Sequence, residues 1–559
     1  MRIELEELTI RALWERSVRL FGNLPAIGAV GEQPWTFRQV NEAVTRFTNE
    51  LREAGLRPGD RLAVLGDNCP HWVVTYLAAT TTGITLVPIL TGFPEADVRH
   101  ILRHAEVTAV VVDSRQRAKV EEMDETARPL LISMETLELI GPRDEPGFFR
   151  KALERIRKGF SRSRDGEEGP VPADIAAIIY TSGTTGHSKG VILTQRNISF
   201  DAIHSIERFP IDERDRFLSI LPLAHTYEAT GGMLCPLTAG SSVIYLKGLP
   251  TPQKLLDGMS EVKPTAVLSV PLVMEKIYRS RVLPTVQKSP LLRQLYKTRF
   301  FRQKIHRKAG KKLLAAFGGR LRFFMFGGAG LAPEVERFLA DAGIDFATGY
   351  GLTEASPIVA ISPVGHGKLG SCGRAIPGIE VAILSPDPRS GIGEIGVRGA
   401  TVMSGYYRNP EITAEVLRAD GFLRTGDLGT IDEEGFIYIK GRSKNVIIGP
   451  SGENIYPEAV EQVLSSMPLV QEAVVCAREG RLEAWVYLDY DRLDRDFPTR
   501  GGGDEPALPL DEVLEQARRE VNEKLPAFSR IARLHEHREP FEKTPTNKVK
   551  RYLYVPPLA

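Results

Sequence analysis

Along most of the chain, short apolar runs of strand length alternate with longer stretches in which apolar residues recur every three or four positions. Arg61–Asn68 (RLAVLGDN) reads as a strand, His71–Gly83 (HWVVTYLAATTTG) as a helix and Ile84–Ile89 (ITLVPI) as a second strand. The order returns in Ser241–Gly248 before Pro252–Val262, in Thr265–Val270 before Pro271–Ser280, and in Leu321–Gly328 before Ala332–Gly343. Such alternation predicts an α/β fold with parallel-rich sheets covered by helices on both faces. Trp72–Pro94 carries no charge, but its Thr cluster, Gly83 and Pro88 favour a buried helix running into a buried strand over a membrane span.

One stretch breaks the alternation. Ile175–Tyr180 (IAAIIY) and Gly190–Thr194 (GVILT) both read as strands, and YTSGTTGHSKGVILT joins them. Nine of those fifteen residues are Gly, Ser or Thr, with Lys189 among them. The composition suits phosphate. The Walker pattern is excluded, because Ser188 precedes the lysine and Gly190 follows it. A strand–loop–strand has no helix N-terminus to offer, so its anion site must come from loop amides, hydroxyls and one ammonium. Thr181, Ser182, Gly183, Thr184, Thr185, Gly186 and Lys189 are the candidate phosphate contacts. Gly183 and Gly186 would permit close backbone approach.

With 559 residues, more than one core is expected. Lys plus Arg number 72 against 71 Asp plus Glu, which gives no global attraction to nucleic acid. Cys69, Cys235, Cys372 and Cys476 are scattered without metal or disulfide spacing, as suits a reducing, cytoplasmic setting. The acidic start MRIELEEL does not read as a signal peptide. From Lys276 to Lys312 the chain is rich in Lys and Arg and contains no acid. That segment reads as a solvated insertion, or as a contact with an acidic cofactor or with anionic lipid at the inner face of a membrane; no Trp-rich apolar face accompanies it. Asp491–Glu512, polar and rich in Gly and Pro, reads as a surface loop.

Downstream of the phosphate loop come LPLAHTYEATGG, GYGLTEASP, LRTGDLG, GRSKNVIIGPSGENIYPEAVE and KTPTNKVKR, in that order. Together they resemble the acyl-adenylate-forming enzymes, the superfamily of acyl-CoA synthetases, luciferases and peptide-synthetase adenylation domains. LPLAHTYE, SVPLVMEKIY and SGENIYP are most similar to long-chain fatty acyl-CoA synthetases, and the likeness runs from AIGAVGEQPWTFRQVNE to the last lysine.

The resemblance implies a two-step reaction: a carboxylate attacks the α-phosphate of MgATP, pyrophosphate leaves, and a thiol, usually of coenzyme A, displaces AMP. It implies an N-terminal domain of residues 1–443 and a small mobile α+β C-terminal domain of residues 444–559. It places Gly327, Gly328 and Ala329 beside adenine, with Gly349, Tyr350 and Gly351, where Tyr350 would stack on the base. Thr353 becomes a phosphate contact and Glu354 the Mg²⁺ ligand. Asp427 would accept the ribose hydroxyls, with Ile439 and Arg442 nearby. His225 would sit at the mouth of the fatty-acid pocket, with Tyr227, Thr230 and Gly231 lining it. Lys548 would bridge carboxylate and α-phosphate oxygens and share catalysis with Glu354, Thr184 and Lys189. Lys444 matches the hinge, and Gly449 would line the thiol channel. The chain departs from relatives at Asn547, where glycine is frequent, and at Ile447 and Ile448, where many carry a lysine.

The rival readings are a fatty acyl-AMP ligase loading a carrier-protein thiol, a synthetase for another carboxylic acid, an ATPase or kinase releasing ADP, and a non-catalytic binder. The joint presence of Glu354, Asp427, Arg442 and Lys548 argues against the last.

Overall fold

The computed structural model describes residues 3–124, 128–140, 169–181, 188–248, 251–287, 289–449, 453–467, 469–478, 480–490, 492–493, 510–545 and 548–555. Among them, the βα alternation folds into two large mixed sheets. In the first, Phe346–Gly351, Phe323–Phe326, Ala266–Ser269, Arg216–Ser219, Ser242–Tyr245 and Pro25–Ala29 lie parallel in that spatial order, with antiparallel strands at both edges. In the second, Ile175–Thr181, Thr85–Ile89, Arg61–Leu65, Ala109–Val112 and Leu130–Ser133 run parallel. The uncharged stretch from Trp72 behaves as expected: every residue from Trp72 to Thr80 in its helix is buried, and so is the strand Thr85–Ile89.

The phosphate segment does form strand–loop–strand. Ile175–Thr181 pairs antiparallel with Lys189–Thr194, Thr181 standing opposite Lys189. Thr194 then caps the helix Gln195–Ile206 in a reciprocal capping box with Asn197, so helix begins only after a complete strand. Residues 182–187 lie outside the described residues, and with them Ser182, Gly183, Thr184, Thr185 and Gly186.

A four-stranded antiparallel sheet, Ile379–Leu384, Gly393–Gly399, Leu423–Ile431 and Ile437–Arg442, follows. Beyond it the chain builds a separate apolar core from Ile455, Val460, Leu464, Val475, Val486, Leu514 and Leu534 around a three-stranded sheet. The helix Leu510–Asn522 includes Leu510, Asp511 and Glu512, so the end of the expected loop is helical. Val513, Leu514, Ala517 and Val521 bury one face of that helix, which reaches back into the polar run. Asp491, residues 494–509 and Asn547 lie outside the described residues.

Candidate active site

The strands of the first sheet, the phosphate hairpin, the four-stranded sheet and the C-terminal unit all border one cleft of about 3650 Å³. Thr181, Lys189, His225, Tyr227, Gly327, Gly328, Ala329, Gly349, Tyr350, Gly351, Thr353, Glu354, Asp427, Ile439, Arg442, Lys444 and Lys548 all line it.

Asp427 and Arg442 stand opposite each other on paired strands. That register brings Arg442 Nε within 2.8 Å of Asp427 Oδ1. The Tyr350 hydroxyl donates to the other oxygen at 2.8 Å. Asp427 is nearly buried, with 8% of its side chain exposed, whereas Arg442 keeps 48%. A buried carboxylate with a charged and a neutral donor is fixed in orientation, and each oxygen retains acceptor capacity for a diol. Burial, then the charge of Asp427, drives the Tyr350 phenol far above its ordinary pKa. Tyr350 therefore stays a neutral donor.

Glu354 follows the strand Phe346–Gly351 in a single 3-10 turn. Tyr406 donates its hydroxyl to Glu354 Oε1 at 2.9 Å, and the Lys189 ammonium lies 5.3 Å from the Tyr406 ring centre. Tyr406 belongs to a two-residue strand paired to Lys189–Thr194. The phosphate hairpin and Glu354 are thus tied through one aromatic side chain. Gly351 admits no substituent: a Cβ there would fall 1.9 Å from the Pro357 carbonyl oxygen.

The strand Arg216–Ser219 leads to His225 through a turn that Asn68 clamps. Asn68 donates to the Leu221 carbonyl at 2.6 Å and accepts from Leu223 N–H at 2.8 Å. Burial first, and the Lys548 charge second, lower the His225 pKa to about 4, so the imidazole is neutral at pH 7. The Tyr227 amide donates to Nδ1 at 3.2 Å. An amide can only donate, so Nδ1 carries the lone pair and Nε2 the proton. His225 presents a neutral N–H donor.

Tyr227 covers Gly327; a Cβ on that glycine would lie 2.9 Å from its ring. Gly327 is needed for this side-chain contact, and Gly328, at φ +83°, is the more open of the pair. Thr230 and Gly231 do not reach the cleft wall, contrary to expectation. They lie in the buried π-helical turn Glu228–Leu234, where Thr230 Oγ1 donates to the Ser356 carbonyl at 3.3 Å and Gly231 packs on Leu268. The turn points them behind Tyr227. Gly449 is buried against Glu453, apart from the cleft-lining residues.

Lys548 enters from the C-terminal unit. Lys548 lines the cleft and is exposed to the solvent that fills it. Burial and Arg442 lower its pKa, while Asp427 and Glu354 raise it. It feels the charges that hold ribose and phosphate on the reading above. Its hairpin is fastened at both ends. Thr544 N–H donates to the Lys548 carbonyl at 2.7 Å, and Lys543 pairs with Glu472 at 2.5 Å. Arg551 pairs with Glu461 and donates to the Val475 carbonyl. Pro545 packs on Gly92, where an added Cβ would lie 3.6 Å away. Tyr406, Asn68, Glu461 and Glu472 escape sequence reading; the Tyr406–Tyr407 pair before the Asn409 helix cap is the one local signal.

Residues 14–407 match the AMP-binding enzyme family. Long chain acyl-CoA synthetase 1 of Arabidopsis thaliana is 31% identical over 533 residues, covering 87% of this chain and 78% of its own. Long-chain-fatty-acid–CoA ligase FadD15 of Mycobacterium tuberculosis is 30% identical over 554 residues, covering 90% and 88%. ATP-bound MatB from Rhodopseudomonas palustris superposes with a TM-score of 0.74 at 25% identity, covering 98% of both chains. The Bacillus subtilis O-succinylbenzoate CoA synthetase MenE, in complex with ATP and magnesium ion, shares the fold at 22% identity, with a TM-score of 0.72 and 96% of this chain and 98% of its own covered.

Proposed function

The chain belongs to the AMP-binding enzyme family, and from that premise we propose that it is an AMP-forming acyl-CoA synthetase for medium to long fatty acids. The observation that carries this reading is the meeting of Lys548 with Arg442, Asp427, Glu354 and His225 in one cleft.

In the first step a fatty carboxylate oxygen attacks the α-phosphorus of ATP, and the bond to pyrophosphate breaks. Two anions must approach, and the Lys548 ammonium offsets their repulsion by lying between them. Asp427 holds the ribose diol in the orientation that Tyr350 and Arg442 impose. Lys189 and the Thr181–Gly190 hairpin, including Thr184, hold the departing phosphates. His225 donates Nε2–H to a carboxylate oxygen without adding a charge that would compete with Lys548. Glu354 is the residue that would hold Mg²⁺: a hard carboxylate oxygen, kept in place by Tyr406, suits an ion that takes its other ligands from phosphate and water. Bound there with ATP, the ion supplies charge neutralisation to the phosphates. In the second step the thiolate of coenzyme A attacks the acyl carbonyl, the C–S bond forms, and AMP leaves with its oxygen.

We place the domain boundary between residues 443 and 444. Lys548 and Gly449 belong to one unit, and only Lys548 lies in the cleft, as expected if rotation about Lys444 exchanges the lysine face for a thiol-channel face. The cytoplasm is the setting we infer, supported by four unpaired cysteines. No helix among the described residues is long and apolar enough to cross a membrane.

The test is a panel of carboxylic acids, C2 to C18 plus aromatics, scored by AMP release with coenzyme A. Highest turnover on medium to long fatty acids, with AMP and acyl-CoA formed in equal amounts, is expected. Release of ADP, or acyl-AMP that accumulates indifferent to coenzyme A, would overturn it.

A further inference from the structure

Arg279 stands in the acid-free segment, on the π-helical turn Tyr278–Val282 at the edge of the cleft. Its base is fixed. The preceding Tyr278 is buried, with its ring centre 5.3 Å from that of Phe338, and its hydroxyl bonds the Tyr296 hydroxyl at 3.0 Å. Tyr296 in turn bonds the His306 ring at 2.7 Å, and His306 meets Asp341 at 3.0 Å. From this base the Arg279 guanidinium reaches across to the C-terminal unit. One nitrogen donates to the Val470 carbonyl at 3.0 Å and the other to the Ser465 carbonyl.

Ser465 ends the helix Pro457–Ser465, whose last turn holds no cation of its own. The final carbonyls of a helix lack intrahelical partners and carry the negative end of its dipole. Arg279 brings a donor and a positive charge to that end from outside the unit. The same helix makes two further contacts. Gln462, one turn before Ser465, donates to the Leu331 carbonyl at 3.2 Å, directly after the glycine turn expected beside adenine. Glu461 accepts from the Val475 N–H at 2.8 Å and pairs with Arg551, in the hairpin that carries Lys548. One nine-residue helix therefore links Arg279 to the anchor of the lysine hairpin.

We propose that Arg279 is a positioning residue for Lys548: by capping the C-terminal end of Pro457–Ser465 it selects the orientation of the C-terminal unit in which the lysine enters the cleft. This role in the first half-reaction rests on the function proposed above; the docking of the helix does not. The bonding pattern favours capping over a direct contact with substrate. Both guanidinium bonds go to backbone carbonyls of the C-terminal unit. Those carbonyls belong to the end of the helix and the start of the strand Val470–Arg478, so the rigid fork of an arginine recognises the corner between two elements. Under the proposed rotation about Lys444 the cap is released, so its loss should weaken the first half-reaction and spare the second.

The test measures both half-reactions of the full-length protein with Arg279→Ala, Arg279→Lys and, as a control, Lys297→Ala, an exposed cation of the same segment. Pyrophosphate release from ATP and fatty acid should fall roughly tenfold or more in Arg279→Ala. Lysine at 279 should recover part of it, since it keeps the charge but not the fork. Conversion of supplied acyl-AMP and coenzyme A to thioester should stay at the wild-type rate or rise, and Lys297→Ala should match the wild type in both. Combined with Lys548→Ala, Arg279→Ala should cause no further fall, because its effect passes through the lysine. Equal loss of both halves, unchanged pyrophosphate release, or a further tenfold fall in the Lys548→Ala background would each overturn the proposal. Amide hydrogen exchange without substrates reads the docking by itself: around Leu331 and along Pro457–Ser465 it should quicken in Arg279→Ala and not in Lys297→Ala. Identical exchange in all the proteins would overturn the cap. Quickened exchange in a protein whose wild type releases no pyrophosphate with any acid would leave the cap standing and refute the adenylation reading instead.

Discussion

The two sides of the cleft are built differently. On the nucleotide side, Asp427, Arg442, Tyr350 and Glu354 project from or directly follow strands whose register sets their distances. Asp427, Arg442 and Tyr350 bond to one another, and Glu354 to Tyr406 on a strand paired with the hairpin. On the opposite side, Lys548 sits on a hairpin fastened to a separate small core by Lys543–Glu472 and Arg551–Glu461, both within the C-terminal unit. What joins that unit to the rest includes Arg279 donating to the Val470 carbonyl at 3.0 Å and Gln462 donating to the Leu331 carbonyl at 3.2 Å. Arg279 also donates to the Ser465 carbonyl, and such polar contacts between surfaces are worth about 1 kcal/mol each. The binding half is rigid by construction. Lys548 is tied into its own unit by ion pairs and meets the rest of the cleft through polar contacts between surfaces. Under the proposed rotation about Lys444, a site built so presents the lysine and withdraws it without disturbing the nucleotide.

The largest effect should come from removing that freedom. Proline at 444 fixes φ near −65° and restricts Ser443 as well. Lys444→Pro should release one burst of pyrophosphate, retain acyl-AMP, and lose thioester formation by orders of magnitude; wild-type turnover of acyl-CoA would move the hinge elsewhere. Next is Glu354→Gln, which keeps the shape and the Tyr406 contact but removes the charge. Adenylation should fall roughly a hundredfold at limiting Mg²⁺, measured as pyrophosphate release against metal concentration. An unchanged metal dependence would remove Glu354 from the site.

Glu461→Gln addresses the other side. The amide can still accept from the Val475 N–H, now at 2.8 Å, but no longer pairs with charged Arg551. With Lys543–Glu472 intact, the hairpin should loosen without detaching. Adenylation should drop on the order of tenfold, while conversion of supplied acyl-AMP to acyl-CoA is retained. A purely structural role would depress both halves together.

The smallest effect lies in stability. Burial raises the Glu228 pKa from 4.5 to about 8. The native state therefore holds a proton that the unfolded chain releases, and stability falls as pH rises from about 4.5 to about 8. Glu228→Gln should lose that slope, seen in thermal melts across the range; parallel melting curves for the two proteins would contradict a protonated Glu228.

Much of this was legible in the chain. The strand–loop–strand at Ile175–Thr194 follows from β-branched residues on both sides of a Gly/Ser/Thr run, and the structure keeps it. The order of motifs groups Asp427, Arg442 and Lys548, and all three line one cleft. What sequence could not supply is direction. Thr230 and Gly231 adjoin Tyr227 in the same motif, yet a π-helical turn aims them into the core. Nor does a motif reveal partners far along the chain: Tyr406 meets Glu354 across 52 positions, and Arg551 meets Glu461 across 90. The paired aromatic and the ordinary glutamate have many structural uses, and only the fold selects one.

Lys548→Ala, assayed separately in the two half-reactions, tests the division of labour most directly. The account predicts that pyrophosphate release from ATP and fatty acid falls by about a thousandfold or more, while the same protein given preformed acyl-AMP and coenzyme A makes thioester at close to the wild-type rate. Equal loss of both halves in a protein that melts like the wild type would contradict it.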